Sequence, residues 1–313
     1  MSVRVLYIAG LGRSGSTLLS RLLGQVDEIC AVGEVHHLWR TGASRAATDE
    51  LCGCGRSYAE CGFWPDRLRA AFAEIGEVPV AGMQTLADRV ARIRRLGRLE
   101  RGGDAAFEAA VATYGEVWSR IYAELAEHTG CGVILDASKD LGPLFFLSRV
   151  PGIEVSVVHL VRDPRAVAYS WSQRKLRPEF VGREVYMNRH GAVDVSWRWW
   201  YSNLLASRAR RLFPDFLRLR YEDLVAEPRG NLERICSLVG IGNVDLTFLQ
   251  GASARLGRSN CTVSGNPMRF DAGEVTIRRD DDWRQRMPRA SRLLVGALTW
   301  PLRRRYGYRG GGA

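Results

Sequence analysis

Arg13, Ser14, Ser16 and Thr17 crowd around Gly15 in the stretch YIAGLGRSGSTLL. Hydroxyls, a guanidinium and a run of backbone N–H groups entering a helix are the parts of an anion cradle. The first amides of a helix lack internal partners and carry the positive end of its dipole. Gly10, Gly15 and Thr17 keep the spacing of the phosphate-binding pattern G-x-x-x-x-G-K-[ST], but Ser16 stands where the lysine belongs and Arg13 lies inside the loop. That lysine reaches the β- and γ-phosphates of a magnesium nucleotide, so its loss weakens the case for triphosphate chemistry. A second cation comes with VRDPRAVAYS, where Arg162 ends an apolar run and Ser170 lies between one and two turns into the following helix. Together they suit a clamp on a second phosphate.

Of the 45 basic residues only Lys139 and Lys175 are lysines. A compact ammonium with movable donors, kept in a chain that otherwise uses arginine, makes Lys139 in LDASKDLGP a candidate for chemistry. Asp136, at the end of VILD, keeps a P-loop kinase reading with ATP and magnesium open. A non-catalytic nucleotide-binding protein is the other alternative.

The elements that must position these residues are legible as alternating strands and helices. Short apolar runs at residues 3–9, in CGVILDASKD, in IEVSVVHLVRDP and at 216–221 predict buried parallel strands. Helical spacing predicts helices at 16–25, 85–101, 104–128, 195–212 and 228–240, and another through RAVAYSWSQRK, which starts on Asp163-Pro164. The fold class expected is α/β, a P-loop-like three-layer fold with a central, mostly parallel sheet flanked by helices. Residues 1–313 read as one domain, with a variable, largely helical substrate-cap insertion at about 41–130; from 41 to 79 the pattern breaks down into cysteines, glycines and prolines. Ligands of such sheets bind at the carboxyl ends of the strands, which gathers Arg13, Asp136–Lys139, Arg162 and Tyr221 at one rim.

The net charge of +11 is spread along the chain, which favours a small polyanionic ligand over nucleic acid. No run of about 20 apolar residues predicts a membrane span, and a cytoplasmic location is the default expectation. The tail LLVGALTWPLRRRYGYRGGGA allows peripheral contact with an anionic membrane surface. Cys52, Cys54 and Cys61 lie close together in CGCGRSYAEC, but a structural zinc site needs a fourth ligand and no flanking histidine has finger spacing. The stretch therefore reads as a tight glycine-rich loop, and no metal is expected.

GRSGSTLL, VRDPRAVAYS and RYEDLVAEP, in this order, resemble the sulfotransferases that use 3′-phosphoadenosine 5′-phosphosulfate (PAPS), in particular the bacterial and the tyrosylprotein and carbohydrate branches. The resemblance runs from residue 3 to about 283 and is weakest between 41 and 130. It implies transfer of the sulfonate group of PAPS, as co-substrate and without a metal, to a hydroxyl of a small acceptor such as a sugar or lipid. It places the 5′-phosphosulfate on Arg13, Ser14, Gly15, Ser16, Thr17 and Leu18, the 3′-phosphate on Arg162 and Ser170, and the adenine against Tyr221. Gly265, Asn266 and Arg269, in SGNPMRF, fall where bacterial members close over the 3′-phosphate side. The same resemblance makes Glu34, in CAVGEVHHLWR, the general base, with His36 and His37 as rivals, and brings Lys139 to the transferring sulfonate. A desolvated carboxylate at Glu34 would have a raised pKa and be a better base.

Overall fold

The structure, a computed structural model, describes residues 2–41, 50–75, 80–257 and 261–308. At its centre lie five parallel strands, β1 (Val3–Gly10), β2 (Ile29–Gly33), β3 (Val133–Lys139), β4 (Ile153–Val161) and β5 (Phe216–Arg220), in the order β2-β3-β1-β4-β5. Between β1 and β2 runs α1 (Ser16–Leu23). Between β2 and β3 come α2 (Tyr58–Cys61), α3 (Phe63–Ile75), α4 (Val80–Val90), α5 (Leu96–Arg101) and α6 (Ala105–Thr129). Helix α7 (Leu141–Leu147) joins β3 to β4, and α8 (Pro164–Ser172) and α9 (Ala192–Ala209) join β4 to β5. The chain ends with α10 (Tyr221–Ala226), α11 (Pro228–Leu238), a small antiparallel sheet of β6 (Leu249–Gln250), β7 (Ser253–Leu256) and β8 (Gly273–Thr276), and α12 (Trp283–Arg286), α13 (Arg289–Leu298) and α14 (Trp300–Arg305).

Period-two alternation in β1 explains the layers. Leu6 and Ile8 pack with Leu19, Leu22 and Leu23 of α1 and Leu232 and Ile235 of α11. Val5, Tyr7 and Ala9 face the opposite side, with Trp64 of α3, Val117 and Trp118 of α6 and Phe145 of α7. Helix α6 is therefore part of the layer covering the sheet. It starts where Asp104 accepts the Phe107 N–H at 2.8 Å and stops at Gly130, which takes a left-handed φ of 68°.

The structure departs from the sequence reading in three places. Strand β2 is too short a run to be read from the sequence, yet it forms one edge of the sheet. The helix expected at 85–101 breaks after Val90, because α7 presses close: a Cβ on Gly142 would stand 2.1 Å from the Ala91 carbonyl oxygen. Part of the stretch read as irregular, 41–79, folds as α2 and α3, with Ser57 and Glu60 closing a reciprocal capping box; residues 42–49 and 76–79 lie outside the described residues. In the basic tail, Val295 and Leu302 join the core of α8 and α9 while Leu293, Leu298 and Trp300 are exposed; residues 309–313 lie outside the described residues. Among the described residues no helix is long and apolar enough to cross a membrane.

Candidate active site

A cavity of about 500 Å³ opens at the carboxyl ends of β1, β3 and β4. Its floor is the turn from β1 into α1. Gly10 (φ 145°) and Gly15 (φ 93°) take conformations that disfavour a side chain, and a Cβ on Gly15 would stand 2.4 Å from the Tyr221 ring. Arg13 holds a left-handed φ of 73° without being glycine, a strain of the kind stored at working sites. No side chain caps α1 and its first turn carries no acid, so its leading amides remain for a ligand. Ser16, Thr17 and Leu18 line the cavity.

Two arginines flank the turn. Arg13 lies 5.0 Å from the Trp171 ring centre, and its Nε and Nη1 are buried with no acceptor among the described residues. Burial lowers its pKa, with Glu34 opposing. Arg162 lies 4.6 Å above the Tyr221 ring and donates to the Arg13 carbonyl at 3.1 Å and the Asp280 carboxylate at 2.9 Å; its Nε is also buried without an acceptor. Ser170, Tyr221 and Lys175 line the same wall. Burial, then Arg13 and Arg162, lower the Lys175 pKa. Both lysines of the chain thus face one cavity; the rarity of Lys175 was a signal that the motifs did not use.

Opposite lies a network of alternating charge. Gly33 (φ 77°) lets the chain turn under Val263, whose carbonyl accepts the Glu34 N–H at 2.7 Å. Lys139 donates to one Glu34 oxygen, and His37 meets the other at 3.1 Å and Asp140 at 3.0 Å. Lys139 also has a left-handed φ, 68°. Burial pushes the Glu34 pKa up, but Lys139 and His37 outweigh it and hold the group at about 2. Burial likewise depresses His37, but Asp140 and Glu34 raise it to about 9. The expected raised pKa of Glu34 is therefore reversed: desolvation is present, and two cations overcome it. Gly265 lies over Glu34, a Cβ there standing 3.6 Å from its carboxylate, and Asn266 lines the cavity beside it.

Several sequence candidates point elsewhere. Ser14 is buried behind the turn and does not line the cavity. Arg269, expected at the 3′-phosphate, is buried with its guanidinium on the Thr262 carbonyl at 3.2 Å and the Leu51 carbonyl at 3.1 Å; it supports the loop carrying Gly265 and Asn266. His36 is buried in the core with its ring tilted against Trp118, centroids 4.1 Å apart, and burial lowers its pKa to about 3, while its neighbour His37 lines the cavity. Asp136 is fully buried and does not line the cavity either; it accepts from Tyr122 at 2.7 Å and the Ser138 N–H at 2.8 Å, and burial raises its pKa to about 6. A metal-holding aspartate would have to reach the phosphates. Outside the cavity, Cys261 joins Cys52, Cys54 and Cys61, bringing four sulfurs within 4.8 Å of one another.

Residues 154–245, which hold the motifs VRDPRAVAYS and RYEDLVAEP, match the Sulfotransferase family. Carbohydrate sulfotransferase 7 of Mus musculus is 26% identical over 209 residues, 54% of this chain and 42% of that protein. Sulfotransferase 2A1 of Rattus norvegicus is 28% identical over 117 residues, 33% of this chain and 40% of that protein. The chain spans less than half the length of these curated relatives. The solved sulfotransferase domain of the Synechococcus PCC 7002 olefin synthase shares the fold, with a TM-score of 0.54 and 22% identity over 99% of this chain and 96% of that one.

Proposed function

We propose that the cavity transfers the sulfonate group of PAPS to a hydroxyl of a small acceptor. The observation that carries this reading is the pair of arginines, Arg13 and Arg162, with buried guanidinium nitrogens lacking acceptors among the described residues at the uncapped start of α1. Buried donors without partners are costly unless a ligand satisfies them, and two such forks suit a nucleotide bearing phosphates at both ends. Arg13, the α1 amides, Ser16 and Thr17 hold the phosphosulfate; Arg162 and Ser170 hold the 3′-phosphate; Tyr221 flanks the adenine.

At the other end, Glu34 takes the proton of the acceptor hydroxyl as its oxygen bonds to sulfur and the sulfur–oxygen bond to the 5′-phosphate breaks, the electron pair leaving with the phosphate oxygen. Lys139 and Arg13 stabilise the charge gathering there. When Lys139 turns from Glu34 to that charge, its lowering of the carboxylate pKa is withdrawn, His37 alone opposes burial, and the affinity of Glu34 for a proton rises. The network thus couples arrival of the sulfonate to activation of the base. His37, bridging Glu34 and Asp140, orients the carboxylate. Asp280, paired with Arg162, must yield to the incoming phosphate.

The acceptor class, a hydroxylated small molecule, and a reducing, cytoplasmic setting belong to the same proposal. Calorimetry against the product nucleotide, 3′-phosphoadenosine 5′-phosphate, and against ATP with magnesium tests it. Binding of the bisphosphate in EDTA, with label from PAPS reaching a hydroxylated acceptor, is the expected outcome; preference for ATP with magnesium would favour a kinase instead.

A further inference from the structure

We propose that Cys52, Cys54, Cys61 and Cys261 form a closed, structural zinc site that pins the 50–75 segment to the loop beside Glu34. The three cysteines of CGCGRSYAEC lack a fourth ligand in their own stretch; the fold supplies it from 200 residues away. Cys61 Sγ lies 3.6 Å from Cys52 Sγ and 3.4 Å from Cys261 Sγ, and all four sulfurs fall within 4.8 Å of one another. A zinc ion with four Zn–S bonds of ~2.3 Å at tetrahedral angles separates its sulfurs by about 3.8 Å. A disulfide needs ~2.05 Å, and an iron–sulfur cubane would place its own sulfides between the thiolates and hold them farther apart.

The surroundings are built for thiolates. The backbone N–H groups of Cys54 and Phe63 each face the sulfur two residues back, on Cys52 and Cys61, and the Arg56 guanidinium faces Cys54. Such outer donors orient metal-bound sulfur and offset its charge. The two arms are held in place independently of the sulfurs: the Gly53 N–H donates to the Thr262 carbonyl at 3.1 Å, Trp64 Nε1 to the Cys261 carbonyl at 2.7 Å, and Arg269 bridges Leu51 and Thr262. None of the four cysteines lines the catalytic cavity. With all four positions taken by protein sulfur, the ion's role is structural. It fixes Val263, whose carbonyl holds the Glu34 N–H, and so positions the transfer end of the site.

The test is the metal content of the full chain purified with reductant and without chelator. About one zinc per chain is expected by plasma mass spectrometry. Cys54→Ser and Cys261→Ser should each lose it, and Cys131→Ser, outside the cluster, should keep it. Cobalt added to the metal-stripped wild-type chain should give the visible bands and thiolate charge transfer of a tetrahedral four-sulfur site, a readout that does not depend on the variants folding. A metal-free chain with four reactive thiols, a disulfide among these cysteines, or zinc retained in both variants would overturn the proposal. None of these readouts involves sulfonate transfer, so the zinc site and the proposed activity fail separately.

Discussion

At the β1–β4 end of the cavity, Arg13 and Arg162 keep buried guanidinium nitrogens without acceptors among the described residues, whereas at the β2–β3 end Lys139 and His37 are already paired with Glu34 and Asp140. Guanidinium nitrogens left without acceptors at and beside a rigid turn are a store of binding energy, released when an anion arrives; Arg162 gives up its exposed partner Asp280 in the exchange. Cations neutralised by carboxylates attract little from solution, and their value lies in changing partners. One end is therefore shaped to hold and the other to react.

The largest expected effect comes from removing the carboxylate at the reacting end. Glu34→Gln should lower kcat by roughly 10²–10⁴-fold while leaving affinity for the product nucleotide within a few-fold; unchanged turnover would remove Glu34 from the base role. At the holding end, Arg162→Ala should weaken product-nucleotide binding by about 10²-fold in calorimetry, with a smaller effect on kcat at saturation. A reversed pattern in these two variants would collapse the distinction between the ends. Asp280→Asn removes the carboxylate that competes for Arg162, so the nucleotide should bind a few-fold more tightly, on the order of 1 kcal/mol; weaker binding would mean that Asp280 serves mainly to orient Arg162.

The smallest effect is in stability against pH. The His37 pKa is raised to about 9 in the folded chain, above an unfolded value of about 6.5. Its contribution is fully present below about pH 6.5 and is lost as pH rises through 9. The Tm of the wild type should therefore fall more between pH 7 and 9.5 than that of His37→Gln. Parallel profiles would show that the Glu34–His37–Asp140 bridge adds nothing to stability.

The holding end was the more legible in sequence. The β1 and β4 runs are long and apolar, and the residues that follow each strand lie at its carboxyl end by construction, so Arg13, Thr17, Arg162 and Ser170 could be gathered from local pattern alone. The reacting end depends on contacts that no local window contains. Strand β2 is five residues long, and its pairing with Val263 crosses most of the chain. The adjacent histidines His36 and His37 point to opposite environments because they sit on a short 3-10 turn, a rotation that residue type does not announce. The Glu34 pKa departs from expectation for a related reason. Burial does raise it, but the cations that override burial arrive from β3 and from that turn. The Arg269 guanidinium turns to the Thr262 and Leu51 carbonyls instead, since a motif match fixes a residue's place in the chain and not the side of the loop it faces.

The pairing of Gly33 with Val263 has a consequence for the order of assembly. Roughly 230 residues separate the two partners, a loop whose closure is entropically slow. During synthesis the outer edge of β2 waits, unpaired, until almost the whole chain has been made, and exposed strand edges invite association with other chains. The same delay means that the phosphate-binding turn can form early on the ribosome, while the geometry around Glu34 is completed only when the late segment docks. On the proposed reading, the turn that holds the nucleotide is therefore complete before the end that uses it.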